Sequence, residues 1–150
     1  MTLPKTGTTP IGSIKTKTIK RALIAPCGMN CRLCHAYIRD KKACPGCRVD
    51  NGFKSKMCVL CRIKNCEKIA RSGAMYCFSC DSFPCDKLKH LDKRYSTKYG
   101  MSMIYNLENI RMFGIRNFIR HEKKKWTCPG CGNLICVHKP QCLSCGHKWR

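Results

Sequence analysis

The chain has 150 residues, of which 30 are Lys or Arg, 8 are Asp or Glu and 16 are Cys, and its formal net charge is +22. The cysteine content and the charge lie far outside ordinary composition, and the other apolar residues are too few for a sizeable core. No apolar run is long enough for a membrane span or a signal peptide, so we expect a cytoplasmic protein without membrane contact.

The first segment in chain order, residues 1–25, is predicted to be a basic arm. It contains Lys15, Lys17, Lys20 and Arg21 and no acidic residue. Because the rest of the segment is rich in Thr with Gly and Pro, it cannot bury enough apolar surface to fold alone. We expect it to be disordered when free and to become ordered only on a polyanion. The alternative is a loose terminus without function.

Residues 26–125 are predicted to form a cysteine-rich metal-binding module with helices. Eleven cysteines occur here among Gly, Pro and Lys, a pattern typical of turns around metal ions. Thiols stay reduced in the cytosol, where paired cysteines more often bind metal than form disulfides. We therefore predict several Zn²⁺ ions as cofactors. The predicted ligands in this module are Cys27, Cys31, Cys34, Cys44, Cys47, Cys58, Cys61, Cys66, Cys77, Cys80 and Cys85.

Two partitions of these cysteines suit the ligand spacing of zinc. In the first, the pair at positions 44 and 47 joins the pair at 58 and 61, and the cysteines at 66, 77, 80 and 85 form another set. In the second, the pair at 58 and 61 joins the pair at 77 and 80, and the pair at 31 and 34 joins that at 44 and 47. Spacing does not choose between them.

Two further spacings concern the same module. Positions 58, 61 and 66 repeat the spacing of positions 77, 80 and 85. His90 lies shortly after the second set, and it is either a further metal ligand or a cationic residue on a helix face. The run Cys27-x3-Cys31-x2-Cys34 has the spacing that binds a [4Fe-4S] cluster in radical enzymes using S-adenosylmethionine. The chain is too short and too poor in strand-forming residues for their barrel. An iron-sulfur cluster in the amino-terminal cysteines, the alternative cofactor, would therefore be structural or transfer electrons.

Four helices are predicted in the module. The first spans about residues 62–72, and the second follows Pro84. The third is capped by Ser102 and ended by Gly114, and the fourth runs to about Lys125. The last two helices carry the one predicted core without cysteine, built from Ile104, Leu107, Ile110, Ile115, Phe118 and Ile119.

Residues 126–150 are predicted to form a zinc ribbon. Two Cys-x2-Cys pairs lie here with ten residues between them. Zinc prefers four tetrahedral ligands, and four thiolates leave no position open for water, so the site is predicted to be structural. Cys136 and His138 lie between the pairs and are expected to be buried without binding metal. The predicted ligands are Cys128, Cys131, Cys142 and Cys145.

Together these segments predict a small metal-stapled α+β protein. Its parts are a module of zinc knuckles with helices, a carboxy-terminal zinc ribbon and a disordered basic amino-terminal arm. Metals replace the missing apolar core, because chains with so little buried surface usually need staples. Sixteen thiolates that hold four divalent ions would still leave a charge of about +14.

Five motifs occur together in this chain in a specific order. They are Ala25-Pro26-Cys27-Gly28-x2-Cys31-x2-Cys34, Cys44-Pro45-Gly46-Cys47, Cys58-x2-Cys61-x-Ile63-x2-Cys66, Cys77-x2-Cys80-x2-Phe83-Pro84-Cys85 and Cys128-Pro129-x-Cys131-Gly132. With them, the chain from about residue 24 to residue 149 resembles a widespread family of small cysteine-rich proteins of unknown function that is common in anaerobic archaea and bacteria. The resemblance implies zinc or iron-sulfur binding, and it supplies no enzymatic activity and no catalytic residue.

The uncancelled positive charge predicts a nucleic-acid partner. We expect a zinc-binding RNA-binding protein of the ribosome or associated with it, with rRNA and neighbouring ribosomal proteins as partners. The alternatives are an iron-sulfur electron carrier or redox sensor, and a DNA-binding regulator. RNA is preferred to DNA because the basic residues are dispersed rather than gathered on one groove-sized face. Candidate base-stacking rings are Trp126, Trp149 and Phe53. The predicted nucleic-acid contacts are Lys15, Lys17, Lys20, Arg21, Arg116, Arg120, Lys123, Lys124, Lys125, Lys139, Lys148 and Arg150.

Overall fold

The computed structural model describes residues 18–49 and 52–150. The helices of this part of the chain are α1 (His35–Ile38), α2 (Lys56–Val59), α3 (Glu67–Ser72), α4 (Asp86–Tyr99), α5 (Met103–Phe113) and α6 (Ile115–Lys125). Single 3₁₀ turns lie at Arg21–Leu23, Cys31–Leu33 and Cys77–Ser79.

The β-structure of the described ranges is limited to three isolated antiparallel bridges. They join Ile24 to Asn30, Thr127 to Leu134, and Gln141 to Lys148. In these ranges the protein is small and mostly helical, which confirms the helical part of the predicted α+β class, and its strand part is limited to these bridges. Within the same ranges, no helix combines the length and apolarity needed to cross a membrane.

Helices α4, α5 and α6 form the scaffold, and α5 packs against both of the others. The turn between α4 and α5 is fixed at both ends by local signals. Gly100 ends α4 in the left-handed conformation with φ +67°. Ser102 caps α5 by accepting a hydrogen bond from the Tyr105 amide, and its hydroxyl donates to Asp92 Oδ1 at 2.7 Å. These caps confirm the predicted start of the third helix, and Gly114 confirms its predicted end.

The core lies between these helices and the amino-terminal part of the described chain. Leu88 on α4 and Leu107 on α5 are fully buried, as are Ile24 and Leu33 from the segment before α1. The 3₁₀ turn Arg21–Leu23 contacts α6. Full burial of an aliphatic side chain contributes about 1.5–3 kcal/mol, so this segment contributes to stability as part of the core.

The boundary of the predicted basic arm falls inside this packed region. Ile19 is already buried, together with residues 23–25. The packed chain therefore begins several residues before the predicted boundary at residue 25. The rest of the predicted arm, including Lys15 and Lys17, lies outside the described residues.

Helix α3 is shorter than the helix predicted over residues 62–72. It begins at Glu67, and residues before it form turns. The Asn65 side chain donates to the carbonyl oxygens of Val59 and Cys61, both at 2.9 Å, which holds the chain in turns where helix periodicity predicted a helix. Gly73 ends α3 at φ +69°, as predicted.

Candidate metal centre and cationic surfaces

The four cysteines of the carboxy-terminal segment meet in one cluster. Their sulfur atoms all lie within 4.8 Å of one another, with Cys128 Sγ 3.6 Å from Cys145 Sγ and Cys131 Sγ 3.7 Å from Cys142 Sγ. Four thiolates placed tetrahedrally at the usual zinc–sulfur distance of 2.3 Å lie about 3.8 Å apart. The cluster therefore has the dimensions of a single-ion site and could hold a metal ion, as the spacing predicts.

Two similar turns bring the four sulfur atoms together. In the first, the Gly132 amide donates to the Cys128 carbonyl at 2.8 Å, and in the second the Gly146 amide donates to the Cys142 carbonyl at 2.9 Å. Both glycines have positive φ, +80° and +81°, which favours glycine over other residues. In addition, the Gly130 amide donates to Cys128 Sγ at 3.3 Å, which stabilises the thiolate form.

The cluster is attached to the helices through a buried tryptophan. Trp126 follows α6, is 4% exposed, and meets Trp149 edge to face with a centroid distance of 5.3 Å. The Trp149 indole donates to the Lys139 carbonyl at 2.7 Å. The Val137 amide donates to the Leu33 carbonyl at 2.9 Å, which joins the segment to the amino-terminal core. Neither tryptophan ring is a free stacking platform, whereas Phe53 is 56% exposed.

Cys136 and His138 lie apart from the four-sulfur cluster. Cys136 is buried. His138 Nδ1 accepts a hydrogen bond from the His35 amide at 3.2 Å, and its Nε2 is 2.9 Å from the Tyr95 hydroxyl. Burial lowers the pKa of His138, so its ring is neutral near pH 7. Its two ring nitrogens have partners within the core.

A first group of amino-terminal cysteines gathers before and after α1. The Cys47 amide donates to Cys31 Sγ at 3.4 Å, and Lys54 Nζ lies 3.5 Å from Cys44 Sγ. A hydrogen bond with Cys31, together with nearby Lys54, lowers the pKa of Cys47 to about 6. Lys54 was not among the predicted site residues, and no spacing motif could have identified it. The members of this group are Cys27, Cys31, Cys34, Cys44 and Cys47.

A second group surrounds a small cavity between α3 and α4. The cavity has a volume of about 30 Å³. Burial, followed by the neighbouring thiols at positions 85, 66 and 80, raises the pKa of Cys77 to about 12. The four cysteines that line the cavity are Cys66, Cys77, Cys80 and Cys85.

Cysteines from both predicted partitions lie near one another in the structure. The set at 66, 77, 80 and 85 belongs to the first partition, and the grouping of 31 and 34 with 44 and 47 belongs to the second. Cys58, which both partitions pair with Cys61, lies on α2 and does not line the cavity. His90 lies on the exposed side of α4, also outside the lining of this cavity.

Helix α6 presents a cationic face to solvent. Its inner side carries Phe118 and Glu122, both buried, and a hydrogen bond at 3.3 Å joins Glu122 to the Asn30 side chain. Burial raises the pKa of Glu122. Its basic side chains are all exposed: Arg116, Arg120, Lys123, Lys124 and Lys125.

Other predicted nucleic-acid contacts lie on separate parts of the surface. Lys20 and Arg21 are exposed at the start of the described chain. Lys139 is half-buried and Lys148 is exposed beside the four-sulfur cluster. The Arg150 guanidinium lies 5.0 Å from the Trp149 ring centroid.

An open groove of about 830 Å³ lies between residues 56–63 and α4. Its floor is apolar, with Ile63 buried and Leu91 half-buried. No sequence pattern indicates this groove, because it forms only where two separate segments of the chain pack together. The charged and titratable residues of its lining are Lys56, Cys61, Arg62, Asp86, Lys87, His90 and Arg94.

Comparison with known proteins relates the amino-terminal half of the chain to a family. Residues 23–90 match the model of the family described as "Protein of unknown function (DUF3795)". The resemblance to a cysteine-rich family of unknown function is thereby confirmed over this range, which contains both amino-terminal cysteine groups. The four-sulfur cluster lies beyond the matched residues. No curated protein and no solved structure matches the chain.

Proposed function

We propose that this chain is a zinc-binding RNA-binding protein of the cytoplasm that belongs to the ribosome or associates with it. Its carboxy-terminal cysteines hold Zn²⁺ in a zinc ribbon, and rRNA and neighbouring ribosomal proteins are its partners. The observation that carries the proposal is the exposed cationic face of α6, which continues into the four-sulfur cluster through Trp126. The metal centre fixes the position of that face, and the charge attracts the phosphate backbone.

Four of the described acidic residues have partners away from the exposed cations of α6 and do not neutralise them. Glu122, the acidic residue of α6, is buried against Asn30 and does not face the exposed cations. Asp92 is engaged by the cap of α5. Glu67 and Glu108 each pair with an arginine on their own helix. An external polyanion is therefore the partner that this surface lacks.

Zinc is the proposed ion of the carboxy-terminal cluster because of its ligands and dimensions. Four thiolates in a tetrahedral arrangement form a closed site, which is typical of structural zinc. The separations of 3.6 and 3.7 Å between sulfur atoms agree with that geometry. Such a site stabilises the fold and performs no chemistry, which agrees with a role in presenting a surface.

RNA is the proposed polyanion because the cations are distributed over several elements. The face of α6, the outward side of α4 and the segment around Lys148 are separate in the chain. A recognition helix in a DNA major groove would instead concentrate its contacts on one element. Dispersed contacts suit the irregular backbone of folded RNA, which proteins recognise largely by shape and phosphate position.

The proposal is tested by the salt dependence of RNA binding. Fluorescence anisotropy with a single-stranded RNA, repeated over a range of KCl concentrations, gives the slope of log K against log salt. Each phosphate contact to a single strand contributes about −0.7 to this slope. A variant in which three α6 cations become Gln should therefore have a slope shallower by about 2. The substitutions are Arg116→Gln, Lys123→Gln and Lys124→Gln.

A matched control removes the same number of charges from other exposed positions. It carries Lys41→Gln, Lys68→Gln and Arg71→Gln, of which Arg71 already pairs with Glu67. The control should retain the wild-type slope. A flat salt response of the wild-type protein, or equal slopes for the two variants, would contradict the proposal. Tighter binding to duplex DNA than to RNA would support the DNA alternative.

A further inference from the structure

The cavity between α3 and α4 is lined by four cysteines from three separate segments. Cys66 precedes α3 and Cys85 precedes α4, while Cys77 begins the 3₁₀ turn Cys77–Ser79 between these helices and Cys80 directly follows it. All four side chains line the same cavity, which places the four thiols around a common space. The cavity volume of about 30 Å³ is enough to admit at least one atom of the size of a water molecule.

These sulfur atoms are too far apart for a single ion in this arrangement. Thiolates that share one zinc ion lie about 3.8 Å from one another. Within residues 18–49 and 52–150, the four carboxy-terminal cysteines form the group in which three or more metal-ligating atoms lie within 4.8 Å of one another. The sulfur atoms of the cavity cysteines do not come that close together. In a [4Fe-4S] cluster each thiolate binds a different iron, so four cysteines surround it at larger mutual distances.

The surroundings of the cavity suit such a cluster. The Ser82 backbone amide donates a hydrogen bond to Cys80 Sγ at 3.4 Å. Amide hydrogen bonds to sulfur stabilise the reduced charge state of iron-sulfur clusters and tune their potential. The remaining lining is apolar except for two cations, and those cations offset the negative charge of a cluster with four thiolate ligands. The other lining residues are Arg62, Ile63, Ile69, Phe83, Lys87 and Leu88.

We propose that Cys66, Cys77, Cys80 and Cys85 bind a [4Fe-4S] cluster, with one thiolate to each iron. Binding replaces the proton of each thiol with an iron–sulfur bond. The site is separate from the carboxy-terminal cluster, which keeps its own ion, so the protein carries two kinds of metal centre. The four thiolates complete the ligand set of the cubane, so the cluster serves structure or electron transfer and leaves no iron open to substrate.

The test compares cysteine variants of the protein purified without oxygen from iron-supplemented cells. Iron, acid-labile sulfide and zinc are counted per chain, and electron paramagnetic resonance is recorded after reduction with dithionite. Cys66→Ser and Cys80→Ser are the test variants, because both side chains are only half-buried. Each should lose about four irons and four sulfides relative to the wild type.

Cys58→Ser is the matched control. Cys58 occupies in the first spacing repeat the position that Cys77 occupies in the second, but the structure places it outside the cavity. This variant should therefore retain the iron and sulfide of the wild type. Because the comparison uses differences between variants, iron held by the first cysteine group does not affect it. Retention of one zinc per chain and of the far-ultraviolet circular dichroism shows that a test variant is folded.

Three results would overturn the proposal. The first is wild-type protein without labile sulfide, a measurement that does not depend on any variant. The second is equal iron in the test variants and in Cys58→Ser. The third is a zinc ion bound by the cavity cysteines, which X-ray absorption at the zinc edge would reveal as a second ZnS4 site. None of these results affects the RNA titration, because the test variants keep every cation of α6.

Discussion

Gly28 allows the segment that carries Cys27 to lie directly against α5. Its φ is +92°, and a β-carbon added there would lie 2.8 Å from the Met103 carbonyl oxygen and 3.0 Å from Leu107 Cγ. The Gly28 carbonyl also accepts a hydrogen bond at 3.0 Å from the Asn106 side chain, which fixes this approach. We therefore predict that Gly28→Ala destabilises the protein through two separable effects.

The first effect is conformational, and the second is steric. Positive φ costs an alanine about 1–2 kcal/mol relative to glycine. Forcing a methyl group into packed surroundings adds about 1–3 kcal/mol, because the nearest atom belongs to the α5 backbone and cannot rotate away. The free energy of unfolding should therefore fall by about 2–5 kcal/mol. The same shift displaces Cys27 and its neighbouring thiols.

Gly100→Ala is the matched control for this prediction. Gly100 has φ +67°, but a β-carbon there would meet nothing within 4 Å. Gly100→Ala should therefore lower the free energy of unfolding only by the conformational contribution, about 1–2 kcal/mol. Urea unfolding followed by circular dichroism, with metal content verified as equal, measures both variants. Equal losses of stability in the two variants would refute the steric argument. A Gly28→Ala variant that is as stable as the wild type would refute it as well.

The remaining predictions concern a carboxylate, a helix cap and the metal cluster. Burial raises the pKa of Glu122, so the folded state binds its proton more tightly than the unfolded state, and stability falls as pH rises above about 4.3. Glu122→Gln should flatten this decline in urea titrations across pH, and an unchanged pH profile would contradict it. Ser102→Ala should lower the free energy of unfolding by about 1 kcal/mol, because it removes the cap of α5. Ser144→Ala, at an exposed position outside any helix, should leave the free energy of unfolding nearly unchanged in the same assay. We propose that the carboxy-terminal cluster holds an ion. A chelator should therefore shift Trp126 and Trp149 emission to longer wavelength but leave the helical circular dichroism largely intact. Loss of both signals together would contradict this expectation, because the helices would then depend on that ion.

The ends of α5 and the carboxy-terminal cluster could be predicted because their signals are local, whereas α1 and α2 were not predicted and α3 is shorter than expected. Ser102 and Gly114 mark the ends of α5 by side-chain and backbone preferences that act within one turn. The two carboxy-terminal Cys-x2-Cys turns are close in sequence, so their pairing had few alternatives. Each of these predictions depends on residues that interact within a short stretch of chain.

The grouping of the amino-terminal cysteines could not be predicted, because it depends on contacts between distant segments. Cys47 meets Cys31 across sixteen residues, and the cavity forms only where α3 packs beside α4. The pairing of Asn30 with Glu122 spans 92 residues and leaves no pattern in the sequence. A buried carboxylate in so basic a helix looks from sequence like one more surface charge.

The same Cys-x2-Cys spacing leads to different sulfur arrangements in the two halves of the chain. In the carboxy-terminal segment, two turns with glycine at matching φ face each other, so all four sulfur atoms converge closely. Cys77 and Cys80 lie at the start of a 3₁₀ turn and directly after it, and the other two cysteines come from the chain before separate helices. Those helices set the distances between their sulfur atoms, because their packing fixes where each chain end lies. The spacing therefore determines that two sulfurs point to the same side, while the partner segment determines the size of the centre they surround.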